Sequence, residues 1–218
     1  MVKPREDASS RQRLAAPERR RLIIEAAKQI FLTRGLAGAR TKDIATAAGV
    51  NEGLIYRHFD SKEEIFAAAV VEPLQSLVTT GVARTGDLSA VEGDLQYDNT
   101  RRFIADLLEL MVDVVPLLGI VLFSERDTGT EFYRTQIAPA LDTVTESVEQ
   151  RMPDWNHRDF QPRVVTTSVL GICLGIGLDA SFRGTEVDID QTATEIADLI
   201  FEGVRPRTDD GARQVPSP

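Results

Sequence analysis

Residues 41–59 read TKDIATAAGVNEGLIYRHF, and this stretch decides the fold. Thr41 is a candidate N-cap for a short helix through Ile44 and Ala45. Ala47, Ala48, Gly49 and Val50 then break the run. Gly49 suits the left-handed conformation that ends a helix, and the small residues let a second helix approach. Asn51 is a good N-cap for that second helix, which carries Gly53 through His58. Ile55 and Phe59, four apart, share a face that can pack on Ile44, Ala48 and Val50. Two short helices joined by a tight turn make a helix-turn-helix, whose second helix lies in the major groove of DNA.

The remaining residues of the second helix point the same way. Asn51, Glu52, Gly53, Leu54, Tyr56, Arg57 and His58 fall on or beside the outer surface. Outward Leu54 and Tyr56 are unusual against water but suit thymine methyls and a phosphate. Ser61 and Glu64 have the spacing of a capping box, so a further helix starts there. Its first amides, together with Lys62, are expected to hold one more phosphate. Thr41, Lys42, Tyr56 and Lys62 are therefore the phosphate candidates, and Asn51, Gly53, Leu54 and Arg57 the candidates near bases. His58 reads as a structural or phosphate-side residue.

The same segment resembles the DNA-binding module of TetR/AcrR-family transcriptional regulators. The resemblance rests on Gly35, Thr41, Ile44-Ala45, Ala48-Gly49-Val50, Asn51, Gly53, Tyr56, His58-Phe59, Ser61-Lys62-Glu63 and Ile65. It covers about residues 18–66. Leu54 stands where the family often has Thr, and Glu52 where a basic or neutral residue is common. Both positions face DNA, so they bear on the base sequence read and not on the class.

Charge is divided along the chain. The net charge is −9, yet residues 1–62 hold 13 Lys/Arg against 7 Asp/Glu, a net of +6. The remainder carries −15, which gives a basic head on an acidic body. Such a division orients a protein on DNA and keeps the body off it. Cys173 is the one cysteine, so no intrachain disulfide can form. The start, MVKPREDASSRQR, lacks the apolar core of a signal peptide, which points to the cytoplasm.

Taken in order, residues 1–16 read as a disordered basic arm and residues 17–62 as the helix-turn-helix domain. Residues 63–204 read as a helical effector-binding and dimerisation domain, and residues 205–218 as a loose tail. The expected fold is all-α: a three-helix head plus a larger helical body. The first helix starts at Pro17 and ends at Gly35, with Ile23, Ala27, Ile30 and Phe31 on its inner face. Pro73 is expected to interrupt or kink the helix that opens at Ser61. Residues 83–97 read as a mobile loop. A helix capped by Asn99 or Thr100 is expected to end at Pro116, followed by a short apolar helix to about Ser124. Another runs from about Glu131 to Arg151, bent at Pro139.

Residues 163–182, RVVTTSVLGICLGIGLDASF, are long enough to span a bilayer. Thr166, Thr167, Ser168, Asp179 and three glycines argue against that, and no membrane partner is expected. Gly171 and Gly175, four apart, permit close helix approach. A last helix capped by Asp190 carries Ile196 and Ile200. Two late amphipathic helices suit a two-fold four-helix bundle, so Gly171, Gly175, Leu178, Ile196 and Ile200 are the expected dimer contacts. The resemblance implies the same pairing.

The body carries Phe103, Leu107, Met111, Phe123, Phe132, Tyr133 and Trp155. Taken singly these read as core. Together with the breaks at Pro116 and Pro139, they are candidates to line an apolar cavity. The resemblance implies a small-molecule effector there whose binding releases DNA. The sequence contains no Gly-rich phosphate loop, nucleophile motif or Cys/His metal spacing. His58 and His157 are too scattered for a metal site. No cofactor and no catalysis are expected. The expected function is sequence-specific binding of a near-palindromic operator by a homodimer, as a repressor released by a small apolar or amphipathic ligand. The competing reading is a helical ligand- or protein-binding module without specific DNA recognition.

Overall fold

The computed structural model describes residues 15–86, 93–122, 126–154 and 157–204. Among these residues the chain is helical, with turns between helices and no strand. It divides into two compact units, Met1–Ile65 and Phe66–Pro218, with the division inside one helix. The expected arm at residues 1–16 falls almost wholly outside the described residues, as do the tail at 205–218 and the middle of the expected loop at 83–97.

The first unit contains α1 (Ala16–Gly38), α2 (Thr41–Ala47), α3 (Glu52–Ile55) and the start of α4 (Lys62–Gly86). Pro17 stands in the first turn of α1, where its missing N–H costs nothing. Ile23, Ala27 and Phe31 are buried one turn apart and meet Ile44, Ala45, Ile55 and Phe59 in a shared apolar core. Gly35 takes φ +66°, which ends the regular helix where expected, and one irregular turn carries the chain on to Gly38. The Ser61 hydroxyl accepts from Glu64 N at 3.1 Å, as a capping box requires. The Glu64 carboxylate reaches one residue further back, accepting from Asp60 N at 2.5 Å.

The second unit holds the rest of α4, α5 (Gly93–Leu122), α6 (Arg126–Phe132), α7 (Ala138–Glu149), α8 (Pro162–Arg183) and α9 (Ile189–Val204). Neither Pro73 nor Pro116 ends its helix. Leu74 and Val78 beyond Pro73, and Leu117, Leu118 and Val121 beyond Pro116, are buried. That burial holds the following turn in line and outweighs one lost backbone bond. The expected loop is helical at both ends: α4 runs to Gly86 and α5 starts at Gly93. The early start of α5 is fixed by Tyr97, whose hydroxyl donates to Asp198 at 2.7 Å and whose ring lies edge-on to Phe201 at 5.3 Å.

The expected bend at Pro139 takes a specific form. A π-helical segment, Tyr133–Ile137, joins α6 to α7, and Pro139 occupies the first turn of α7. The wider π turn makes room for the proline ring and uses bonds five residues back, so the missing Pro139 N–H leaves no gap.

α5 packs on α8 and α9, and α7 on α8. Ile104, Leu108, Met111, Val114, Val115, Cys173, Ala193 and Ala197 form the centre of this core. Gly177 is the glycine of α8 that permits close approach within the chain. A Cβ there would lie 3.1 Å from Met111 O and from Val115 Cγ2. α8 is 22 residues long with a mean hydropathy of 1.6, enough to cross a bilayer by length and composition alone. One face of it lies on α5 and α7, and it ends at Gly184 in the left-handed conformation. α9 is capped by Asp188, which accepts from Gln191 N at 3.0 Å, and not by the expected Asp190.

Candidate DNA-binding surface

The turn between α2 and α3 is built by its glycine. Gly49 has φ +66°, Val50 N donates to Ala45 O at 2.9 Å, and Gly49 N donates to Thr46 O at 3.2 Å. This pair is a Schellman motif, and it reverses the chain within three residues. Asn51 Oδ1 then accepts from Leu54 N at 2.8 Å and starts α3. α3 is regular only over Glu52–Ile55, and residues 56–58 continue as turns. Buried Ile55 anchors the last turn of α3, and buried Phe59 anchors the turns that follow it.

That anchoring settles which side chains face outward. Lys42, Asn51, Gly53, Tyr56 and Arg57 are exposed, Tyr56 at 53 %. Thr41, Leu54 and His58 are half-buried, so Leu54 offers an edge and not a full face to a duplex. Since the Asn51 oxygen is used as the cap, its amide N–H groups are what remain to meet a base. A Cβ at Gly53 would approach Asn51 Oδ1 to 3.5 Å, ordinary contact, so glycine here is not demanded by space.

Two phosphate candidates have other roles in the structure. Thr41 does not cap α2. Arg40 holds the cap position, and the Thr41 hydroxyl donates to Glu52 Oε1 at 2.6 Å. The same hydroxyl lies 3.1 Å from the Tyr56 hydroxyl. Lys62 Nζ donates to Leu36 O at 2.8 Å, Ala37 O at 3.1 Å and Ala39 O at 3.3 Å. These are carbonyls left open at the end of α1, and an ammonium is well matched to them. All three Lys62 donors are engaged, which makes it a clamp on the end of α1, a role its place in the capping box does not announce. Sequence reasoning missed this because the partners lie 23 to 26 residues away. It also gave Glu52 no partner within the head, and it did not foresee the Arg34–Asp43 ion pair between α1 and α2.

The effector candidates of the second unit occupy several positions. Leu107 and Met111 are buried in the α5 core. Phe103 lies so close to Gly81 that a Cβ there would sit 2.5 Å from its ring. Phe132 is edge-on to Phe66 at 6.2 Å. Phe66 and Gly81 are 15 residues apart on α4, about 22 Å along its axis, so the two rings belong to different places. Tyr133 is 40 % exposed. Phe123 and Trp155 lie outside the described residues.

The dimer candidates divide as well. Ile196 is 4 % exposed and faces the core of its own chain, which removes it from the contact set. Leu178 and Ile200 are half-buried. Gly171 and Gly175 are exposed with nothing within 4 Å of an added Cβ. They fall on an outward stripe of α8 with Val164 at 57 % and Phe182 at 88 % exposure, and Leu199 of α9 is 64 % exposed. The sequence did not single out Val164, Phe182 and Leu199 as exposed. Periodicity marks α8 as apolar on nearly every side and cannot say which side the chain itself covers.

Among the described residues no group of three or more His, Cys, Asp or Glu side chains is placed to hold a metal ion. His157 is tied to backbone, with Nδ1 2.7 Å from Arg158 O and Nε2 3.1 Å from Met152 O. Burial pushes the Cys173 thiol up to about 12.

Residues 23–69 match the family model described as bacterial regulatory proteins, tetR family. The chain is 31 % identical over 149 residues to the HTH-type transcriptional activator FasR of Mycolicibacterium smegmatis, an alignment covering 67 % of this chain and 63 % of FasR. It is 24 % identical over 198 residues to the HTH-type transcriptional repressor DhaR of a Mycobacterium species, covering 87 % of this chain and 94 % of DhaR. Among solved structures, the transcriptional regulator FadR from Bacillus subtilis in complex with stearoyl-CoA superposes with a TM-score of 0.62 at 16 % identity. That match covers 85 % of this chain and 99 % of FadR, a likeness of fold.

Proposed function

We propose that this chain, which belongs to the TetR/AcrR family of transcriptional regulators, is a cytoplasmic repressor that binds a near-palindromic operator as a homodimer. The observation that carries the reading is the α2–α3 turn: a Schellman reversal at Gly49 that leaves Lys42 of α2 and Tyr56 and Arg57 after α3 exposed on a head of net charge +6. Lys42 and Tyr56 contact phosphates, and Arg57 reads base edges with Asn51 and Gly53. One such head contacts few base pairs. Two related by a two-fold axis read half-sites about 34–36 Å apart, or a multiple of that. The exposed stripe of Val164, Gly171, Gly175 and Phe182, with Leu199, is the surface through which two copies pair. Two of the relatives differ in the sign of regulation, FasR being an activator and DhaR a repressor. DhaR is matched over nearly its whole length, which favours repression.

A small apolar or amphipathic ligand taken up by the second unit relieves repression by favouring a DNA-incompetent state, with the shift limited to its differential affinity for the two states. The FadR structure holds stearoyl-CoA, an amphipathic ligand of this kind.

The test is fluorescence anisotropy on the DNA upstream of the chain's own coding sequence, titrated over a range of salt. The expected result is sequence-selective binding that weakens steeply with salt. Arg57→Ala changes which bases are preferred, while Tyr56→Phe weakens binding to all sequences alike. Absence of salt-dependent, sequence-selective binding overturns the reading and favours a helical binding module that does not recognise DNA.

A further inference from the structure

Glu52 is the one acidic side chain at the start of α3, and it lies inside the candidate surface. The Thr41 hydroxyl donates its single proton to Glu52 Oε1 at 2.6 Å. With that proton committed, the 3.1 Å contact between the Thr41 and Tyr56 hydroxyls is made by the Tyr56 proton. The result is a directed chain, Tyr56 to Thr41 to Glu52, ending on a carboxylate. Each bond polarises the next. Both hydroxyls thus turn their protons inward and their lone pairs outward. A DNA phosphate offers only acceptor oxygens, so in this arrangement acceptor would face acceptor. Tyr56 is 53 % exposed, so its hydroxyl is free to rotate once the relay is broken.

We propose that Glu52 competes with a DNA phosphate for the Thr41 and Tyr56 hydroxyl protons, acting as a positioning residue that keeps the unbound head in a low-affinity arrangement. This deepens the DNA-binding reading and rests on it. Binding requires both hydroxyls to turn outward, which leaves the Glu52 carboxylate without its donor beside the approaching phosphate. The residue therefore lowers affinity for every duplex without choosing among sequences. It also guards the basic head against indiscriminate phosphate binding, which is the electrostatic part of DNA affinity.

The experiment compares the full-length chain with Glu52→Gln, Glu52→Ala, Tyr56→Phe and the double variant Glu52→Gln/Tyr56→Phe. Each is titrated against operator and random-sequence duplexes over a salt series, with circular dichroism to check helicity. Glu25→Gln, which removes an equal charge from exposed α1, is the control. Glu52→Gln and Glu52→Ala are expected to bind both duplexes about fivefold more tightly. The salt slope steepens by up to about one, and Glu25→Gln stays near wild type. In the Tyr56→Phe background the gain from Glu52→Gln shrinks, because one of the contested protons is gone. Unchanged or weakened binding of folded Glu52 variants overturns the proposal, as does an equal gain in the Tyr56→Phe background. A change confined to particular operator positions overturns it in favour of Glu52 reading a base. Wild-type protein that binds neither duplex overturns the DNA-binding reading itself, and the two failures are thereby distinguished.

Discussion

Replacing Lys62 by Met removes an ammonium while keeping the stem and the helical preference. In the structure that ammonium bonds three carbonyls at the end of α1, the closest two at 2.8 and 3.1 Å, and the side chain is 25 % exposed. A hydrogen bond to a charged group contributes roughly 1.5–3 kcal/mol net. Partial exposure lets water replace some of this, so one such bond, about 2 kcal/mol, is the expected loss and not the sum of three. The helix end also loses a cation that its dipole favours. The readout is native-state hydrogen exchange of amides in the last turns of α1 and in α2, which should quicken about 30-fold if they open through this contact. DNA affinity should fall no further than the loss of folded head explains, and the salt slope should hold. Unchanged exchange together with uniformly weaker DNA binding and a salt slope shallower by about one would refute the reasoning. Lys62 would then be a phosphate ligand whose carbonyl bonds contribute nothing.

Phe182→Glu should turn a dimer into a 24.0 kDa monomer by light scattering without loss of helicity, since the ring is 88 % exposed within its own chain; an unchanged mass places the pairing surface elsewhere. Thr145 and Thr166 share a 2.8 Å bond inside the α7–α8 contact, and Thr145 also donates to Leu141 O. Either single change to Val should cost about 1 kcal/mol in urea unfolding, and the double change clearly less than the sum, because both single changes already lose the same shared bond. Cys173 should resist alkylation in the native state at pH 8, its thiol being pushed up to about 12 by burial. The raised folded value means its contribution to stability is complete below about pH 9 and is lost as pH climbs from there towards 12. Native-state labelling as fast as in urea would contradict the buried placement.

The head was legible in residues 41–64 because each of its decisions is local. Gly49 alone can hold φ +66° without strain, Asn51 caps three residues ahead, and Ser61 accepts from Glu64 N within one turn. The spacing of Ile55 and Phe59 fixed which face is buried and so which side chains meet solvent. Prolines were read less well. Pro116 looks like a stop in a sequence and Pro73 like a break or kink, but the burial of the residues after them is a property of the packed core, and it carries both helices through.

The amino-acid order by itself determined a basic helix-turn-helix on an acidic all-helical body, through turns and periodicities that act within a few residues. Tertiary structure alone decided that Lys62 clamps α1, that Tyr56 meets Thr41 and Thr41 meets Glu52, and that Ile196 is core while Phe182 is surface. Contacts between residues far apart in sequence carry no periodic signature. An apolar helix such as α8 can present any of its sides to the core, and the choice is made only when α5 and α7 cover one of them.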